Sequence, residues 1–175
     1  RRIAAKAKMA SANEWITAHV EEGRKVVVAA HHRDIVDELA REHGGLKIQG
    51  GMNVHEVEEV KAEFQNGDAQ VLILSIQAAK TGHTLTAAQD ILFVEMPWTP
   101  ADVDQTVARL HRIGQEGSVT ATYMLTVDTI DQQIYDLIDA KRSVVDQATE
   151  GVMDGAGAAR TGDLVMNLAF QQETR

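Results

Sequence analysis

Gln105, Arg109 and Arg112 are the residues whose types and spacing could do chemistry in this chain. They fall in a segment that opens as a helix should. Thr99 is a good N-cap, Pro100 suits the first helical position, and Asp102 can reach back to the cap and complement the helix dipole. Gly114 offers a stop. At about 100° per residue, Gln105, Arg109 and Arg112 share an arc of about 60°, while Val103, Val107 and Leu110 gather on the opposite side. One side is core, and the other sets an amide beside two guanidinium groups. Arginines one turn apart repel each other, and their planar, permanently charged forks suit phosphate oxygens. The same spacing also fits an exposed basic face paired with nearby carboxylates, and spacing alone does not separate the two.

The elements around this segment alternate between strands and helices. Residues 3–22 read as one helix with Met9, Ala12, Ile16 and Val20 on a stripe, ended by Gly23. Lys25 to Ala30 is a β-branched run of the kind expected of a strand covered on both faces. His31 and His32 mark its exit. A helix follows over Arg33 to His43, carrying Ile35, Val36 and Leu39 inward, then a short strand at Leu46 to Gln49 and the turn Gly50-Gly51. Asn53 and Glu56 open the next helix, with Val54, Val57, Val60 and Phe64 as its buried stripe. Val71 to Leu74 and Ile91 to Val94 are further apolar strands. Val119 to Val127 alternates, with Ala121, Tyr123 and Leu125 facing one way, which predicts an edge strand. Thr129 and Gln132 form a capping-box pair opening a helix with Ile130, Ile134, Leu137, Lys141 and Val145 on one face. Residues 148–175 are expected as a flexible tail, with a short helix at Leu164 to Phe170.

This order predicts an α/β layer sandwich around a mostly parallel sheet with right-handed crossovers. Ligand sites in such sheets lie on the loops after the strands' carboxyl ends. His31-His32, Gly50-Gly51, Ser75 to Gly82 and Glu95 to Trp98 should therefore line one edge.

A length of 175 residues suits a single domain. The first residue is Arg1, so an excised piece of a longer protein is expected. With no cysteine, disulfides and thiolate metal sites are excluded, and the composition suits an intracellular protein of cytoplasm, nucleus or nucleoid. No apolar run reaches the length of a membrane span, so no membrane partner is expected. The net charge of −9 argues against strong nucleic-acid binding by the isolated chain, so any DNA contact must be a local patch.

Gln105-x-x-x-Arg109-x-His111-Arg112-Ile113-Gly114-Gln115 resembles the sixth helicase motif of superfamily 2, in the form typical of SWI/SNF-type remodelling ATPases. Ser75 to Leu85 resembles the fifth motif of that family, S-x-x-A-x-x-x-G-x-x-L, and Glu95-x-x-Trp98-Thr99-Pro100 resembles its D-x-x-W-N-P. Ala30-His31-His32, followed by Ser75-Ile76-x-Ala78-Ala79, is most similar to the annealing-helicase branch. The turn usually written D-G-x-T is Gln49-Gly50-Gly51-Met52 here; Ile76 stands where many relatives have threonine, Thr99 replaces asparagine and Glu95 replaces aspartate.

The resemblance implies the second, C-terminal RecA-like lobe of a DNA-dependent ATP-driven motor: a three-layer sandwich like that of P-loop NTPases, occupying residues 25–147, with residues 1–24 packing on it. It implies Arg112 as the finger on the γ-phosphate with Arg109 beside it. Gln105 would position the arginines or the attacking water, and Thr81 and Gly82 would line the ATP cleft. On the DNA backbone it implies Ser75, Gln77, Gly50, Gly51 and His31. ATP and Mg2+ belong to the intact two-lobe motor. The chain contains no G-x-x-x-x-G-K-[S/T] phosphate loop, so the partner implied is an N-terminal RecA-like lobe that carries one, and this chain alone is expected to be inactive.

Plainer readings stand beside these. Neighbouring His31 and His32 point to opposite sides, and no H-E-x-x-H spacing exists, so no metal site is expected. Ser75 lacks the G-x-S-x-G elbow of a hydrolase. Trp98 reads as a packing anchor beneath the arginine helix, and Lys80 as a solvated lysine or a phosphate contact. The rival functions are a stand-alone, non-catalytic nucleic-acid or protein-binding regulatory module, and a Rossmann-type nucleotide enzyme, against which the missing G-x-G-x-x-G counts.

Overall fold

The computed structural model describes residues 2–115, 117–126 and 129–150, with side chains except at 80, 81 and 142–150. Five parallel strands form one sheet: β1 (Val26–Ala30), β2 (Leu46–Ile48), β3 (Val71–Ser75), β4 (Asp90–Phe93) and β5 (Thr120–Tyr123), in the order β2-β3-β1-β4-β5. The register aligns Val28 with Ile73 on one side and Leu92 on the other. β1, β3 and β4 are buried along their whole length, and apart from Ser75 at the end of β3 and Asp90 at the start of β4 they are apolar throughout, as strands covered on both faces should be. β5 is an edge strand, as its alternation predicts, and β2 forms the opposite edge; Ala121 and Tyr123 pack on one core and Met124 on the other.

Each face of the sheet carries its own helical layer. Val27, Ala29, Leu72, Leu74, Ile91 and Phe93 meet α4 (Val54–Asn66), α5 (Pro100–Val107) and α6 (Ile130–Glu150) through Phe64, Val103, Ile134 and Ile138. Their alternates Val26, Val28, Ile73 and Leu92 meet α1 (Arg2–Ala7), α2 (Met9–Glu21) and α3 (Arg33–Glu42) through Ala5, Met9, Ile16, Ile35 and Leu39. The expected α/β sandwich is therefore present.

Several local expectations change. The helix expected over 3–22 is two, broken at Lys8, because the Lys8 ammonium turns inward to the carboxylate of Asp131 (2.6 Å) and the carbonyl of Met124 (3.1 Å). Val54 is 80% exposed rather than part of a buried stripe; α4 packs on a strand only three residues long, and Phe64 supplies its fully buried contact. The capping box of Asn53 and Glu56 is present, whereas the Thr129 hydroxyl accepts from the amide of Asp131 (3.3 Å), a position earlier than the capping-box pattern predicts. Residues 148–150, expected to begin the tail, still belong to α6; Val127, the Val145 side chain and the rest of the tail over 151–175, with its expected short helix, lie outside the described residues.

The largest revision concerns the arginine segment. Thr99 caps α5, its hydroxyl accepting from the amide of Asp102 at 3.1 Å, but the helix ends at Val107 and residues 108–114 run on as tight turns. The helical pattern gives way there: the amides of Arg109 and Leu110 donate one residue short, to the carbonyls of Thr106 (3.2 Å) and Val107 (3.0 Å), and further on the carbonyl of Arg109 accepts from the amide of Leu85 (2.8 Å) and that of Leu110 from Nε2 of Gln115 (3.3 Å). The stop therefore comes well before Gly114.

Candidate functional site

Because all five strands are parallel, the loops that leave their carboxyl ends share one edge of the sheet. Two of these loops are locked together by Glu95, just past β4. Its carboxylate is 2% exposed and accepts from the amides of His31 (2.8 Å) and His32 (2.9 Å), with Nδ1 of His32 at 2.5 Å from its other oxygen. Burial by itself would raise the carboxyl's pKa; the hydrogen bonds from His32 and His31 outweigh it and hold the value below the ordinary carboxylate range.

On the turns after α5, the two arginines differ in exposure. Arg109 is 7% exposed, and its Nε donates to the carbonyl of Ala79 at 2.9 Å. Burial, and then the charge of Arg112, push its pKa down. Arg112 is exposed, with Nη1 donating to the Thr84 hydroxyl (3.0 Å) and lying 3.5 Å from the carbonyl of Gly82. Neither arginine makes an ion pair with a carboxylate among the described residues. The single helical face expected for both is thus replaced by one guanidinium inside the loop layer and one at its surface. Gly82, in the left-handed region at φ +73°, turns the chain so that its carbonyl faces Arg112. Buried His83 follows it; burial first, then the charges of Lys61 and Arg109, depress its pKa, so it stays neutral beside the arginines at neutral pH.

Gln115 holds this arrangement together. Its Nε2 lies within hydrogen-bonding distance of the carbonyls of Ala88 (2.8 Å), Thr86 (3.2 Å) and Leu110 (3.3 Å), binding the arginine turn to the loop before β4. Sequence reading quoted Gln115 within a motif without giving it a role, because its partners are backbone atoms of another loop.

The remaining expected site residues scatter along the edge. Gln105 is exposed on α5, and the backbone of Thr81 closes a 3-10 turn (Ala78–Thr81). Ser75 is buried at 6% exposure at the end of β3, Gln77 is exposed, and Gly50 and Gly51 are exposed. His31 is half-buried and meets His32 edge-on, with ring centroids 5.2 Å apart. Trp98, expected as an anchor beneath the arginine helix, is 40% exposed; Val103 and Leu110 fill that role. Arg33, which the sequence marks only as the first residue of a helix, opens α3, and its Nη2 donates to the carbonyl of Gly50. Among the described residues no cluster of three or more metal-ligating side chains occurs, and no helix is long and apolar enough to cross a membrane.

Fold and site together define a RecA-like α/β lobe that holds two arginines on the turns between α5 and β5. The chain belongs to the helicase conserved C-terminal domain family, which matches residues 7–114, and it is a lobe of the SWI/SNF-related type. It is 34% identical over 151 residues to the SWI/SNF-related matrix-associated actin-dependent regulator of chromatin subfamily A-like protein 1 of Xenopus tropicalis, covering 82% of this chain and 16% of that protein. It is 30% identical over 152 residues to the human DNA annealing helicase and endonuclease ZRANB3, covering 83% of this chain and 14% of that one. The chain therefore spans a small part of the length of the curated relatives it matches. Among solved structures, the C-terminal part of the Fun30 ATPase domain superimposes with a TM-score of 0.68 at 24% identity, covering 75% of this chain and 44% of that one. The Sulfolobus solfataricus SWI2/SNF2 ATPase core in complex with dsDNA gives 0.62 at 25% identity, covering 78% and 30%.

Proposed function

We propose that this chain is the second motor lobe of an ATP-driven, DNA-dependent translocase or helicase working inside the cell. In this reading it lends arginines to ATP gripped by a first RecA-like lobe that carries the phosphate loop, and it holds the DNA backbone along its own carboxyl edge. The observation that carries the reading is the way Arg109 and Arg112 are anchored: by a backbone carbonyl in one case and by a hydroxyl and a carbonyl in the other, with no carboxylate paired to either among the described residues. Neutral oxygens orient a guanidinium and leave its charge for a phosphate.

The roles are those that the family resemblance implies, and the exposure of Arg112 supports its place among them. Arg112, at the surface, is the finger on the γ-phosphate; Arg109, behind it, adds field and fixes the loop through Ala79. Gln105, exposed on α5, orients the attacking water or the arginines, and Thr81 and Gly82 line the cleft. The Mg2+ that accompanies ATP falls to the first lobe, since this chain has neither a phosphate loop nor a cluster of carboxylates for it among the described residues. Gln77, Gly50, Gly51 and His31 face the DNA backbone, with Ser75 beneath them. The annealing-helicase name of one relative and the duplex DNA in one structural neighbour support that half of the reading.

DNA-stimulated ATPase activity of the two-lobe protein tests it. Arg112→Ala is expected to cost about 10³ to 10⁵ in turnover, because an arginine finger neutralises charge in the transition state, while the melting temperature stays within a few degrees. Turnover retained within about tenfold would favour a non-catalytic binding module instead.

A further inference from the structure

We infer that Arg33 grips a phosphate of the DNA backbone from a seat on the Gly50–Gly51 turn; this rests on the DNA half of the proposed function. Arg33 is exposed at the start of α3, and its Nη2 donates to the carbonyl of Gly50. A guanidinium has five N–H donors, so most remain for a ligand after that bond. The turn is shaped to receive it. Gly51 has φ +94°, a conformation that side-chain-bearing residues rarely adopt, and a Cβ there would stand 3.4 Å from Nη2 of Arg33, or 3.9 Å if placed on Gly50.

Charge around Arg33 points the same way. The carboxylates nearest to it along α3 already have cations: Asp34 pairs with Arg2 at 2.8 Å and Asp37 with Lys47 at 2.5 Å, while Glu95 is taken by His32 and two amides. Arg33 has no ion pair among the described residues, in a chain of net charge −9. It is thus anchored as Arg109 and Arg112 are, by neutral oxygen. It does not belong to their site, because α3 packs on one face of the sheet and α5 on the other. Instead it joins the loop of His31 and His32 to the turn of Gly50 and Gly51, the stretch assigned above to DNA. A guanidinium seated on one backbone turn with donors to spare fits a phosphodiester, which it reads as charge and shape and not as sequence.

The test uses the full-length protein and a fluorescently labelled mixed-sequence duplex, with binding followed by anisotropy over a range of KCl concentrations. Arg33→Ala is expected to weaken binding by roughly 3- to 10-fold for every sequence tried, and to reduce the slope of log affinity against log salt by about 1, one phosphate contact's worth of released counterion. Arg33→Lys should keep the slope, since it keeps a cation. If Arg33→Ala leaves slope and affinity unchanged while Gln77→Ala weakens binding, DNA is held without Arg33 and the residue merely fastens the turn. If the unmodified protein shows no salt-dependent binding, the DNA half of the proposed function fails, and the assignment of Arg33 fails with it.

Discussion

The Glu95 carboxylate serves two backbone amides and an imidazole from inside the protein, which makes it sensitive to acid in a calculable direction. Its folded-state pKa is depressed, so the stability it contributes is fully present above the ordinary value of 4.5 and is lost as pH falls through the lower folded value. Glu95→Gln can still accept from the two backbone amides through its carbonyl oxygen, but it removes the negative charge and sets an NH2 against Nδ1 of His32. We expect it to cost about 2 to 3 kcal/mol at neutral pH and to flatten the fall in stability below pH 4.5. Urea titrations between neutral and acid pH check this; an acid limb as steep as that of the unmodified chain would show that Glu95 is not the group responsible. Glutamate at this place was legible as one letter of a motif. What it holds was not, because His31 and His32 lie 64 and 63 residues away and present backbone N–H groups, which a sequence does not mark.

At the scale of elements, the strands were the easiest to read. β1, β3 and β4 lie between two helical layers and have no polar face to disguise them, and β5 shows its edge position by alternation. α5 was read too long for the opposite reason. Periodicity continues through Arg112, but the carbonyls of Arg109 and Leu110 are captured by Leu85 and Gln115, and a tertiary hydrogen bond leaves no trace in local pattern. The break at Lys8 was hidden in the same way, since lysine is an ordinary helix former until a buried carboxylate draws it inward. The shape of the arginine turn therefore depends on Gln115. Gln115→Leu keeps most of the volume but removes the donor shared by three carbonyls, and should cost about 1 to 3 kcal/mol. In the two-lobe protein it should also lower kcat while leaving KM for ATP largely unchanged. Loss of stability with full kcat would mean that the clasp supports the fold without setting Arg112.

At the scale of the whole molecule, a buried ion pair links the two helical layers around the β5 edge of the sheet. Lys8 and Asp131 are 7% and 2% exposed and 2.6 Å apart, and the lysine also holds the carbonyl of Met124 just beyond β5. Lys8→Ala would leave Asp131 buried and uncompensated, at a cost of about 3 to 5 kcal/mol. Replacing both partners, as in Lys8→Met with Asp131→Leu, should recover most of that. Thermal unfolding of the single and double variants decides the matter; equal losses in the two would indicate that the charges matter less than the packing around them. Because it ties the junction of α1 and α2 to the first turn of α6, the pair joins the two helical layers directly, past the strand at the β5 edge as well as through the sheet between them.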